Sequence, residues 1–478
     1  MRIAMNAKSL TPWALSAALA LVAHPGQGLA NSKCVEGIWP SAKSAGVTRA
    51  TFDRAFQGFT PDPEVIEQAN YQPEYVKPVG EYIDRAVSDK RVATGKEKLA
   101  EYQDLVAGLE KRYGVDRHII VAIWGVESNY GALPGDKNVI RSLATLICSD
   151  TKAKFARPQL VSALKILQRG DVSLEAMNGS WAGAMGHTQF IPTTYTAYAV
   201  DQDGDGKRDI WNNIPDALAS TASYLKVSNW RAGETWGYEV KLPKGFNPKR
   251  VGESTLKPLG EWQKIGVVKV NGEPFPRAAD KASLFAPEGT RGPSFLVLNN
   301  FRSILRYNVA KSYALAVGHL SDRLKGHGPF VQQWPTDETH LSLAQRTELQ
   351  QLLIAQGLME GEPDGVIGPA TLESVRTYQR AKKLPVDGFP SLTILKMLRA
   401  EAPRPTPPAE GETGSIGEAK VPSSVGAQSP SGAGAQAPNS AGAQAPSGAS
   451  PPNAAEGEPA GGAPPASGGG QPAKTDQN

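Results

Sequence analysis

A carboxylate closes an apolar helical pattern in residues 119–131, Ile-Ile-Val-Ala-Ile-Trp-Gly-Val-Glu-Ser-Asn-Tyr-Gly. Ile120, Ile123, Trp124 and Glu127 recur at three- and four-residue spacing, which puts them on one helical face, and Asp116 stands where the N-cap should be. A carboxylate ending such a face loses hydration. Its pKa rises and it can keep a proton near neutral pH, as a general acid must. Spacing alone leaves open a solvated or paired glutamate at a helix end. A second acidic group lies in Asp201-Gln202-Asp203-Gly204-Asp205-Gly206-Lys207-Arg208-Asp209. Asp201, Asp203, Asp205 and Asp209 occupy positions one, three, five and nine of a calcium loop, with Gly206 at six and the Lys207 carbonyl as a further ligand. Asn212 stands at position twelve, where a bidentate glutamate would close the coordination shell, so the alternative is an Asp-Gly turn without metal.

Two further stretches carry polar groups suited to a cleft. Residues 179–192, Gly-Ser-Trp-Ala-Gly-Ala-Met-Gly-His-Thr-Gln-Phe-Ile-Pro, combine small residues that let a backbone approach a ligand with the hydrogen-bonding side chains of Ser180 and Gln189. Tight packing between helices is the alternative. Tyr307, Asn308 and Tyr313 follow an apolar run at 295–301 and are placed with Ile304 on a helix. Such polar-tipped aromatics line carbohydrate clefts or fill cores.

The elements that must position these residues are mostly helical. The chain has 478 residues. Residues 48–114 read as helices punctuated by Pro61, Pro63, Pro73 and Pro78, with a loop at 71–75 whose tyrosines are read as core. A helix follows Arg157 with Leu160, Leu164 and Leu167 on one face, and it stops at Gly170. Residues 230–290 are richer in Trp, Val, Pro and Gly, and 264–270 read as a strand, so a small β insertion beside a helical body is expected.

Arg2 and Lys8, an apolar run at 13–22 and Gly28-Leu29-Ala30 describe a secretory signal peptide over residues 1–30. The run is too short to span a bilayer, and no later segment would do so. Asn31-Ser32-Lys33 before Cys34 does not form a lipoprotein box, so a soluble exported protein without a membrane anchor is expected. In an oxidising compartment the two cysteines, Cys34 and Cys148, favour one disulfide over two buried thiols. The net charge of +4 without a basic run argues against nucleic acid, and six scattered histidines without a His-Glu-x-x-His pattern leave zinc catalysis without support.

Glu127-Ser128-Asn129-Tyr130-Gly131, the run at 179–192, the Asp201 loop with Asp209-Ile210-Trp211, and Arg306-Tyr307-Asn308 follow the order found in the membrane-bound lytic murein transglycosylase B family. This resemblance covers roughly residues 33–330. It implies a lysozyme-like, mainly helical α+β domain over 31–334 that cleaves the β-1,4 bond between N-acetylmuramic acid and N-acetylglucosamine. Glu127 falls on the family's catalytic acid, and Ser180, Gln189, Tyr307, Asn308 and Tyr313 fall on cleft positions. His187-Thr188 departs from the family's commonest residues, and the absent lipid box departs from its anchored members. Peptidoglycan glycan strands are the implied partner, other cell-wall enzymes are further candidates, and the periplasm is the implied location.

One acid implies a mechanism without water: Glu127 protonates the glycosidic oxygen, then takes the proton of the muramyl C6 hydroxyl as a 1,6-anhydro ring closes. No cofactor is required, and a structural Ca2+ at the Asp201 loop is the one ion suggested. Hydrolysis with Asp136 or Asp150 as a second acid is the rival, and a non-enzymatic wall-binding scaffold is the reading from another class.

A second unit is expected over residues 335–402. Ser342 and Gln345 form a capping box before a helix bearing Leu349, Leu352 and Leu353, while Asp364-Gly365 and Asp387-Gly388 mark turns of a weak repeat of roughly 23 residues, with Pro369 opening a helix. The unit resembles the three-helix peptidoglycan-binding domain of wall hydrolases, which implies targeting rather than chemistry. Residues 403–478 are rich in Pro, Gly, Ala and Ser, with Gly-Ala-Gln at 426, 434 and 442, and should stay disordered.

Overall fold

The computed structural model describes residues 32–69, 78–247, 250–290, 292–335, 341–365, 367–384, 386 and 388–402. The expected signal peptide, the loop at 71–75, Asp387 and the tail from 403 lie outside the described residues. The order begins α1 (Trp39–Ser44), α2 (Arg49–Phe56), α3 (Pro63–Ala69), α4 (Val79–Ala86), α5 (Asp89–Glu101), α6 (Gln103–Tyr113) and α7 (Arg117–Ser128). It continues β1 (Lys137–Asn138), α8 (Val139–Cys148), α9 (Ala153–Arg169), β2 (Asn178–Gly179), α10 (Pro192–Tyr198) and α11 (Ile214–Val227). Then come β3 (Gly237–Lys241), β4 (Gly252–Pro258), α12 (Leu259–Lys264), β5 (Val268–Lys269), β6 (Lys281–Phe285), β7 (Pro287–Thr290) and β8 (Ser294–Val297). The remaining helices are α13 (Asn299–Tyr307), α14 (Lys311–Leu324), α15 (Leu343–Ala355), α16 (Pro369–Ala381) and α17 (Leu392–Glu401).

Helix α7 is the centre of the main body. The Asp116 side chain accepts from the His118 N–H at 2.8 Å and starts the helix as its N-cap. Ile119 through Ser128 are all buried, so α7 has no solvent face and the expected single stripe is instead a helix packed on every side. It packs against α14, α5, α6 and α11. Each fully buried isoleucine there contributes about 1.5–3 kcal/mol, and a large apolar shell thus holds the one carboxylate the helix carries.

The β insertion is an antiparallel sheet in the order β4-β6-β8-β3-β5. Alternation along β8 divides its side chains between two cores: Phe295 and Val297 join α7 and α14, while Leu296 joins Val240, Leu259 and Trp262. The strand expected over 264–270 is corrected. Leu259 and Trp262 turn their segment into α12 against the sheet, Gly266 reverses the chain at φ +86°, and only Val268 and Lys269 pair as a strand.

A second core joins α1, α2, α8 and α9, where Leu160, Leu164 and Leu167 are buried. Helix α9 begins at Ala153, four residues before Arg157, with Pro158 inside it, and ends at Gly170 in the left-handed region. Cys34 and Cys148 are disulfide-bonded across a separation of 114 residues. Closing a loop that long removes unfolded-state freedom worth about 4–5 kcal/mol. In residues 341–402, Leu349, Leu353, Val375, Tyr378, Leu395 and Leu398 form a core of their own. The Ser342–Gln345 capping box is present, and Pro369 opens α16. Gln350 and Gln379 each accept from a glycine N–H, Gly365 at 2.6 Å and Gly388 at 2.8 Å, which gives the weak repeat a physical basis.

Candidate active site

Glu127 lies in the last turn of α7 and is 6% exposed. Its Oε1 accepts from the Tyr313 hydroxyl at 2.6 Å, across from α14. Burial drives the Glu127 pKa up to about 8, against the Tyr313 hydrogen bond, which favours the anion. Tyr313 occupies Oε1, so Oε2 is the oxygen free to carry a transferable proton. Tyr307 stacks on Tyr313 with ring centroids 6.4 Å apart and planes 12° apart, and its hydroxyl donates to the Thr188 carbonyl. Phe190 and Tyr224 pack on Tyr307 and complete an aromatic wall.

The residues after Glu127 turn the chain sharply. Asn129, Tyr130 and Gly131 all have positive φ, at 50°, 60° and 86°. A tyrosine in that region is unusual and needs a strong hold. Here its ring packs on Trp124 at 5.7 Å, its hydroxyl donates to the Arg91 carbonyl at 2.9 Å, and Gly95 and Gly125 leave room that a Cβ would occupy. The Ser128 hydroxyl donates to the His187 carbonyl at 2.6 Å and accepts from the Gly131 N–H at 2.9 Å. Trp124 Nε1 donates to His187 Nδ1 at 3.0 Å. Burial lowers the His187 pKa, with Asp209 acting in the opposite direction.

The other expected cleft residues divide. Tyr313 contacts Glu127 and Tyr307 stands behind it, whereas Ser180, Gln189 and Asn308 make no hydrogen bond to Glu127 among the described residues. Ser180 Oγ accepts from the N–H groups of Ala182 and Ala184, holding its own loop. Gln189 sits at φ 52° and donates to the carbonyls of Pro134 and Gly186, tying two loops together. Asn308 is extended and accepts from the Ala310 N–H at 3.0 Å, which breaks the single helix expected through Tyr307 and Tyr313 into α13 and α14. Asp136 and Asp150 are both exposed.

In the acidic loop, Asp201, Asp203 and Asp205 bring carboxylate oxygens within 4.8 Å of one another. Asp201 accepts from the N–H groups of Gly204 and Gly206, and Asp205 accepts from that of Lys207. Hydrogen bonds from Asn213 and the loop backbone hold the Asp203 pKa below the usual carboxylate range. Asp209, expected as a ligand, is not in this cluster: its carboxylate accepts from Trp211 and Asn212 and caps the turn that follows. Sequence reasoning missed Asp216. Buried on α11, its carboxylate accepts from the N–H groups of Gln202 and Asp209 and so pins both ends of the loop. Its position three residues after the N-cap Asn213 was the available signal. Also missed was the Trp124–His187 pair, 63 residues apart in sequence.

Residues 30–322 match the transglycosylase SLT domain family, and residues 342–398 match the peptidoglycan binding domain family. The chain belongs to the transglycosylase SLT domain family. Membrane-bound lytic murein transglycosylase B of Escherichia coli is 30% identical over 252 residues, which make up 50% of this chain and 65% of that protein. The aligned region thus spans less than two thirds of that relative's length. SltB3 from Pseudomonas aeruginosa, solved in complex with NAG-anhNAM-pentapeptide, is 50% identical with a TM-score of 0.74 over 77% of this chain and 99% of that one. The Escherichia coli lytic transglycosylase Slt35 in complex with calcium is 26% identical with a TM-score of 0.53, over 62% and 92%. The mainly helical α+β body with a small sheet is the SLT fold, as the sequence resemblance implied.

Proposed function

We propose that this SLT family member is a lytic transglycosylase that cleaves the β-1,4 bond between N-acetylmuramic acid and N-acetylglucosamine in peptidoglycan and leaves 1,6-anhydro ends. The observation that carries the reading is Glu127, a carboxyl buried at the end of α7 whose pKa lies near 8 and whose Oε1 is already bonded to Tyr313. At neutral pH such a group is a proton donor. Glu127 gives its proton to the bridging oxygen as the bond from that oxygen to the muramyl C1 breaks. The carboxylate left behind, held by Tyr313, takes the proton of the C6 hydroxyl while that oxygen bonds to C1. The acid is regenerated, and no water is consumed.

Hydrolysis needs a second carboxylate to activate water or attack carbon. Asp136 and Asp150 are exposed, and what shifts Glu127 is burial and Tyr313, with no neighbouring carboxylate contributing. The similarity to SltB3, solved in complex with NAG-anhNAM-pentapeptide, also favours cyclisation. Of the cleft residues, Tyr313 orients the acid, Tyr307 backs it, and Ser180, Gln189 and Asn308 shape the loops around it. A weak Ca2+ site formed by Asp201, Asp203 and Asp205 stabilises the loop, consistent with the calcium complex of Slt35. Residues 341–402 retain the enzyme on the wall, and the chain is exported to the periplasm with cleavage after Ala30. Among the described residues no helix is long and apolar enough to cross a membrane.

Mass spectrometry of digested sacculi tests the reaction. The expected products are muropeptides lighter by one water than hydrolytic ones, absent with Glu127→Gln, and products bearing only reducing ends would refute the mechanism. In the same assay a chain ending at residue 335 should bind sacculi more weakly than the full chain; equal retention would count against targeting. An exported protein whose N-terminus is not Asn31 would refute the cleavage site.

A further inference from the structure

We propose that His187 is a positioning residue for Glu127, acting as a hydrogen-bond acceptor for Trp124 and a main-chain anchor for Ser128. The proposal rests on the transglycosylase reading above. An indole N–H can only donate, so His187 Nδ1, 3.0 Å from Trp124 Nε1, must present its lone pair. The ring proton is therefore on Nε2. His187 is held from behind as well, since its own N–H donates to the Ile210 carbonyl at 2.9 Å.

Trp124 and Ser128 flank Glu127, one turn before it and one residue after it. Both are fastened to His187, the first through the ring and the second through its carbonyl. The turn after Glu127 is shaped around the same ring. A Cβ on Gly131 would lie 2.2 Å from His187 Cε1 and 2.3 Å from Nδ1, so glycine at 131 is what lets the imidazole reach Trp124. The acid is thus fixed along two edges by one residue from the 179–192 run, and through it by the segment 209–211. A shift of about 1 Å in such a group costs on the order of a hundredfold in rate.

The test measures kcat and KM on sacculi for the full chain. His187→Leu and Trp124→Phe each remove the bond, from opposite sides. Both should lower kcat by about tenfold to a hundredfold with KM little changed. The double variant should be no worse than the poorer single one, because both remove the same interaction. His187→Asn carries an acceptor close to the position of Nδ1 and should recover most of kcat. Full kcat in His187→Leu, equal damage in Asn and Leu variants, or additive losses would overturn the proposal. Should His187→Leu fail to fold, Trp124→Phe, judged folded by its denaturant unfolding transition, carries the same prediction. Undiminished activity of Glu127→Gln would instead sink the transglycosylase reading, which separates the two failures.

Discussion

Glu127 and the Asp201 loop treat the same functional group in opposite ways. Glu127 is enclosed by an apolar helix and aromatic rings, receives one hydrogen bond from a neutral hydroxyl, and has its pKa raised to about 8. The carboxylates of Asp203 and Asp205 are exposed and accept from loop N–H groups, and hydrogen bonds from Asn213 and the loop backbone hold the Asp203 pKa below the usual carboxylate range. Desolvation without a cationic partner makes a carboxyl into an acid, while solvation with several donors keeps it a ligand. The difference is set by how much apolar surface surrounds the group and by how many N–H donors reach it.

The comparison can be broken most forcefully at Tyr313. Tyr313→Phe removes the donor that favours the Glu127 anion and orients the carboxyl, so the group should titrate higher and release its proton less readily. The expected result is a loss of about tenfold or more in kcat, with the alkaline limb of the pH profile moving up by roughly one unit. An unchanged limb would mean that the hydroxyl does not act on the carboxyl.

A second effect is on stability, and its sign follows from the direction of the shift. The folded-state pKa of Glu127 lies above its unfolded value of 4.5, so its contribution is fully present below about 4.5 and is lost as pH rises towards 8. Glutamine has no such loss. Glu127→Gln should match the parent in denaturant unfolding near pH 4 and exceed it by on the order of 4 kcal/mol at pH 8. An equal difference at both pH values would contradict the buried-acid account.

The smallest effect belongs to the loop. Without a glutamate at position twelve the site should be weak, so millimolar Ca2+ should stabilise the chain by only about 1 kcal/mol, and Asp201→Asn should abolish that gain. No change in melting temperature with Ca2+ would leave the loop as a hydrogen-bonded turn.

Local signals made much of this readable from the chain. The Asp116 cap, the Ser342–Gln345 box and the α9 stop at Gly170 all depend on residues within about a turn of one another, and the apolar stripe that ends at Glu127 signalled the burial of that carboxyl. What could not be read depends on distant partners. Tyr313 meets Glu127 across 186 residues and His187 meets Trp124 across 63, and nothing in local spacing encodes either contact. The segment at 264–270 misled because Gly266 reverses the chain inside the apolar run, which leaves only Val268 and Lys269 to pair as a strand. Asp209 matched a ligand position by spacing, but its oxygens are used by the turn at Trp211 and Asn212.

The mechanism requires a proton resident on Glu127 at neutral pH, and carboxyl carbon NMR can observe it directly. With glutamate labelled in the full chain and Glu127→Gln used to assign the resonance, the signal should titrate with a midpoint near 8. A midpoint at an ordinary glutamate value, about 4.3, would show the group ionised where it is required to donate, and would contradict the mechanism.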